Sequence, residues 1–125
     1  MSAELLLIRA FAASHPEEVA RFVERLPPEG AADVLGALEL ESAAQVLART
    51  VPLVAAAALS RLETKPGGEL LEACHPTLAA DMLFRMDRAT RARLLDAVSP
   101  SLAEDLKRMT EFGPRRAGVA GRRFR

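Results

Sequence analysis

Few side chains in this sequence are equipped for chemistry. The two histidines, His15 and His75, stand 60 residues apart, and each directly precedes a proline. They have the chemistry of a metal ligand or general base, but a residue just before a helix-opening proline is an N-cap or corner residue, and we read them so. Cys74 adjoins His75, yet no second Cys or His stands at zinc-finger spacing, so no zinc site is expected. A lone cysteine excludes an intramolecular disulfide and fits a reducing compartment. Carboxylates are more numerous: Glu17, Glu18, Glu29, Glu39, Glu41 and Glu104 all fall near expected helix starts. Attraction to the positive end of the helix dipole accounts for that placement. Carboxylates on adjacent corners are also able to share a hydrated Mg²⁺, which is typically held by one or two of them while it keeps several waters. The sequence does not show which corners converge, so no metal ligand is assigned. No G-x-S-x-G, P-loop, H-E-x-x-H or EF-hand pattern occurs, and the adjacent Gly67 and Gly68 follow no strand. No catalytic residue is assigned, and an enzyme is not expected.

The elements that must carry these groups follow from a repeat. From His15 the chain divides into eight consecutive twelve-residue units, beginning at residues 15, 27, 39, 51, 63, 75, 87 and 99. The second position is proline in five units: Pro16, Pro28, Pro52, Pro76 and Pro100. Proline is favoured as a first helical residue, where its missing N–H costs nothing. The fifth position is small (Val19, Ala31, Ala43, Ala55, Ala79, Ala103) and the ninth aliphatic (Val23, Leu35, Leu47, Leu59, Leu71, Leu83, Leu95). The eighth is mostly large and apolar, from Phe22, Val34 and Val46 to Leu106, and the twelfth closes the stripe with Leu26, Leu38, Leu62, Met86 and Val98. Apolar positions 5, 8, 9 and 12 lie on one face of an α-helix. Each unit is therefore a helix of nine or ten residues with a short corner, too short to be stable alone. The fold expected is an all-α solenoid of short helices in which neighbours hold one another. Met82, Met86 and Met109 are placed in the core, and the nearly all-apolar unit 51–62 in its middle. In unit 63–74, Pro66, Gly67 and Gly68 predict a longer loop and a late helix start near Gly68 or Glu69. Residues 3–13 read as a capping helix.

Composition agrees with this. Half the residues are apolar but only 4% aromatic, with no Trp or Tyr, and Leu and Ala dominate. The net charge of zero hides an asymmetry: residues 1–106 carry 10 basic and 16 acidic side chains, whereas 107–125 carry seven basic and one acidic. The domain reading is a helical body over 1–110 and a basic Gly/Arg-rich linker or disordered tail over 111–125. Arg115, Arg116, Arg122 and Arg123 are its candidate partner-binding residues. Among its arginines the tail has one aromatic, Phe124, beyond the Phe112 at its start, and the lack of interleaved stacking residues weighs against nucleic acid as its target. No apolar run is long enough to span a bilayer, and Glu4 and Arg9 spoil the short N-terminal apolar run as a secretion signal, so a cytoplasmic protein is expected.

The runs HPEEVARFVERLPPEGAADVL (15–35) and HPTLAADMLFRMD (75–87) resemble the N-terminal cytosolic domain of MgtE magnesium transporters. The segment MTEFGPRRAG (109–118) resembles that family's exit toward a pair of CBS domains and the membrane pore. The resemblance implies a right-handed superhelix and a non-catalytic regulatory module that responds to Mg²⁺. It further implies weak, surface-bound Mg²⁺ and a protein partner, either CBS domains or a transporter. Arg115 and Arg116 stand where the family's exit is acidic and cannot ligate a cation. The CBS pair and the pore lie outside this sequence, which leaves open a detached domain acting in trans, a stand-alone helper, or a piece of a longer chain. The competing expectation is a protein-interaction scaffold similar to the middle region of the flagellar motor switch protein.

Overall fold

The computed structural model describes residues 2–112. Among them are nine helices and no strand: α1 (Ala3–Ala12), α2 (Pro16–Val23), α3 (Pro28–Ala37), α4 (Leu40–Arg49), α5 (Pro52–Ser60), α6 (Thr64–Ala73), α7 (Pro76–Phe84), α8 (Arg88–Leu95) and α9 (Pro100–Phe112). From α2 onward every helix begins at the second position of its unit, with or without a proline there. Two backbone hydrogen bonds explain that regularity. In all eight units the N–H at position five donates to the carbonyl at position one, from Val19 to His15 through Ala103 to Ser99. In the first seven, the N–H at position twelve donates to the carbonyl at position nine, closing the last turn before the corner.

Helices pack chiefly on their second neighbours. The odd-numbered helices from α1 to α9 form one rank, the even-numbered from α2 to α8 the other. The core lies between the ranks and contains Leu35, Leu47, Leu59, Leu71, Leu83 and Leu95, all buried. Met82 and Met86 are buried and Met109 packs against the core. The twelfth position is buried in six of the eight units, even where it is polar, and half-buried at Leu26 and Leu62. Thr50 and Thr110 lie inside, and their hydroxyls donate to carbonyls of their own helices, Val46 at 2.6 Å and Lys107 at 3.1 Å. The sixth position is a second small site: Ala20, Ala32, Ala56 and Ala80 are buried there.

Three expectations need correction. Unit 63–74 has no late start: α6 runs from Thr64 through Pro66, Gly67 and Gly68, and the Gly67 N–H reaches the Glu63 carbonyl at 2.8 Å. Pro66 falls in the first turn, where an N–H has no intrahelical partner to lose. Gly67 and Gly68 occupy the small fifth and sixth positions and let α6 approach its neighbour. A Cβ on Gly68 would lie 2.6 Å from the Ala97 Cβ and 2.7 Å from the Ala97 carbonyl oxygen. Unit 51–62 is only half core: Ala55, Ala56, Ala58 and Leu59 are buried, whereas Leu53 is 64% exposed. Position three faces outward in every unit, whatever residue fills it. Phe22, placed in the stripe by its eighth position, is 38% exposed, because it sits near the end of the stack where fewer helices cover it. At the other end α9 continues two residues beyond Thr110.

Candidate functional site

The corners bring acidic and basic side chains into a repeating lattice. Glu17 in the first turn of α2 faces Arg49 of α4 at 3.9 Å, and Glu29 in the first turn of α3 faces Arg61 after α5 at 3.0 Å. Both pairs join position three of one unit to position eleven of the unit two further on. Arg9 of α1 reaches Glu39, the N-cap of α4, at 3.3 Å and the Ala37 carbonyl at 3.4 Å. A second device caps helix starts from a distance. The Glu24 Oε2 accepts from the Val51 N–H at 2.8 Å, and the Glu72 Oε2 accepts from the Ser99 N–H at 2.9 Å. Both join position ten to position one three units later, so carboxylates at the C-terminal ends of α2 and α6 cap α5 and α9. Arginines do the converse at helix ends. Arg21 donates to the Arg49 carbonyl, Arg91 to Leu83 and Met86, and Arg93 to Ser60 and Leu62. Carbonyls left without partners at a helix C-terminus attract cations there.

The remaining groups are placed as follows. His75 caps α7: its Nδ1 accepts from the Thr77 N–H at 3.1 Å. His15 makes no such bond; its ring stacks on Phe11 with centroids 4.2 Å apart, and its Nδ1 lies 2.9 Å from the Ser14 Oγ. Cys74 is buried at the twelfth position, and burial pushes its thiol up to about 11, so it stays protonated and behaves as a small hydrophobe. Asp87 was not among the expected caps, yet its carboxylate accepts from the Thr90 N–H at 2.8 Å and holds the start of α8. That backbone bond, followed by the Thr90 hydroxyl, holds its pKa below the ordinary carboxylate range. The signal was present as Asp three residues before Thr90 N–H, at a first position.

Of the six carboxylates expected near helix starts, Glu17, Glu18, Glu29 and Glu41 lie in first turns and Glu39 is an N-cap. Glu104 is further in, one turn past the start of α9. Glu17, Glu29 and Glu39 have arginine partners; Glu18, Glu41 and Glu104 are exposed and make no ion pair with another described residue. Two of the six line one cleft. Glu39 and Glu41 line a cleft where the α1–α2 corner, with Ala12, Ala13 and Pro16, faces Ser42 and Gln45 of α4. Among the described residues no group of three or more His, Cys, Asp or Glu side chains converges to hold a metal ion. Arg115, Arg116, Arg122 and Arg123, and the basic tail as a whole beyond Phe112, lie outside the described residues. No described helix is long and apolar enough to cross a membrane.

No curated protein and no solved structure matches the chain. One family model does, over residues 14–115, which spans the repeat from its first histidine through α9. The match covers most of the chain, and the chain belongs to the family of the MgtE intracellular N domain.

Proposed function

We propose that the chain is a non-catalytic, cytosolic regulatory module that responds to Mg²⁺ together with a protein partner, a CBS-domain pair or a transporter of the MgtE type. The observation that carries the reading is the cleft between the α1–α2 corner and α4, where Glu39 and Glu41 face solvent together. Two carboxylates suffice for a hydrated Mg²⁺, which keeps most of its water shell. The only ion partner of Glu39 among the described residues is Arg9, in a pair exposed on both sides, and such pairs hold weakly, at about 0–1 kcal/mol. A divalent cation therefore competes with Arg9 at little cost. Two exposed carboxylates hold the ion weakly, and a partner surface that adds oxygen ligands strengthens the site. Mg²⁺ then favours the associated arrangement because it binds that arrangement better. Family membership supports the regulatory part of this reading.

The test is a titration of this chain with the CBS-domain pair of an MgtE-type transporter, in Mg²⁺ and in Na⁺ at matched ionic strength. Mg²⁺ should tighten binding by about fivefold or more, the lower range of allosteric couplings. The double variant Glu39→Gln, Glu41→Gln should lose that difference and keep its helicity. Equal affinity in the two salts would favour the scaffold reading, in which shape alone recruits the partner.

A further inference from the structure

Two kinds of polar staple tie one unit to a later one, and neither crosses the middle of the chain. The first is the position-ten carboxylate that caps position one three units later, for which the eight units allow five pairings. Two of the five stay on one side of the Leu62–Glu63 junction, and both are made: Glu24 to the Val51 N–H and Glu72 to the Ser99 N–H. The other three cross the junction, and there position ten is Gly36, Ala48 or Ser60, none of which has a carboxylate. The second staple is the ion pair from position three to position eleven two units later. Glu17–Arg49 and Glu29–Arg61 both lie before the junction. The two pairings that cross it set Glu41 against Ala73 and Leu53 against Arg85. Arg85 turns instead to Asp81 of its own helix, at 3.2 Å. Beyond the junction, the Glu72 cap and the close fit of Gly67 and Gly68 on Leu94 and Ala97 bind α6 to α8 and α9.

What crosses the junction is apolar contact and one charged side chain. A cleft opens on it in each rank, between α4 and α6 beside Leu38, Leu62 and Pro66, and between α5 and α7 beside Leu53, Ala57 and Met86. Apolar burial is non-directional, so it holds the two parts together without fixing the angle between them. Among the described residues, the only hydrogen bonds across the junction come from Arg93 of α8. Its guanidinium donates to the Ser60 carbonyl at 3.1 Å and the Leu62 carbonyl at 3.3 Å, where α5 ends, and to the Thr64 hydroxyl on its own side at 2.9 Å. The carbonyls left over at a helix end hold a cation by hydrogen bonds and by the dipole. We propose that the solenoid is hinged at Leu62–Glu63, with residues 15–62 and 63–110 as two bodies and Arg93 as the latch that sets the angle between them. A partner that spans both bodies shifts the latch, because it contacts the two arrangements unequally. The hinge does not rest on the Mg²⁺ reading.

Distances between paired spin labels in the full chain test this, with Cys74→Ala so that only the introduced thiols react. Labels at Asp33→Cys in α3 and Glu104→Cys in α9 read across the junction, and labels at Glu18→Cys and Ala48→Cys read within one body; all four sites are exposed. With Arg93 in place, both distances should be narrowly distributed. Arg93→Met keeps the apolar stem and loses the donors. It should broaden the distance across the junction by several ångströms, leave the other unchanged, and keep the circular dichroism spectrum of the parent. Adding Ala73→Arg gives Glu41 the position-eleven arginine that Glu17 and Glu29 already have, and should narrow the distribution again. A cross-junction distance indifferent to Arg93→Met, equal broadening within the first body, or no recovery with Ala73→Arg overturns the proposal.

Discussion

Gly68 sets how closely α6 approaches the corner that follows α8. A methyl group there meets the backbone of Ala97, which has little freedom to withdraw, whereas at Gly67 it meets the Leu94 Cδ2, the far end of a flexible side chain, at 2.7 Å. Two effects then oppose each other. Alanine is the better helix former by about 1 kcal/mol. Overpacking a tight contact costs about 1–3 kcal/mol. Gly68→Ala should therefore destabilise the chain in urea unfolding, and Gly67→Ala should do so less or not at all. Equal, stabilising effects would show that the α6–α8 approach is looser than the structure has it. The glycines are also where local reasoning from sequence failed. Pro-Gly-Gly is a loop signal when read alone, but the twelve-residue register puts Gly67 and Gly68 at positions five and six, where other units carry alanine. The register was legible and outweighed the local signal, because neighbouring helices fix both ends of the unit. Asp87 escaped notice for the opposite reason: a single capping carboxylate has no repeat to announce it.

At the scale of the element, each helix is too short to stand alone and borrows its ends from others. The long-range caps from Glu24 to Val51 and from Glu72 to Ser99 are the clearest case. Each satisfies the N–H of the residue that precedes the helix, as the carboxylate of a capping box does, and adds a negative charge at the positive end of the dipole. Glu72→Ala should cost about 0.5–2 kcal/mol, the range for losing a cap. Hydrogen exchange should speed up in the first turn of α9 more than in α6, which carries the mutation. Faster exchange confined to α6 would mean that the carboxylate serves its own helix. Helix number, phase and the buried leucines could all be read from the repeat. The pairing of position ten with position one three units later could not, because it depends on how the ranks stack. The arginine partners of Glu17, Glu29 and Glu39 were hidden for the same reason: charge counts give no geometry.

Among the described residues of the molecule as a whole, the buried side chains run from Ala12 to Thr110. A version of the chain ending at Phe112 should keep the helicity and melting temperature of the full chain. A large loss would show that residues 113–125 pack on the body. The candidate site is less legible than the fold, in sequence and structure alike. Glu39 and Glu41 were visible as acidic corner residues, but their shared cleft with Pro16 requires α1 and α2 to fold back on α4. The excess of 16 acidic over 10 basic side chains in residues 1–106 gives Mg²⁺ a repulsion to relieve. An ion that binds only the folded form stabilises it by mass action, by about 2.7 kcal/mol at a hundredfold excess over its dissociation constant. Thermal melting in millimolar Mg²⁺ against Na⁺ at matched ionic strength tests this most directly. The account predicts a modest upward shift in Mg²⁺ beyond the sodium control, lost in the Glu39→Gln, Glu41→Gln variant; identical melting in the two salts would contradict it.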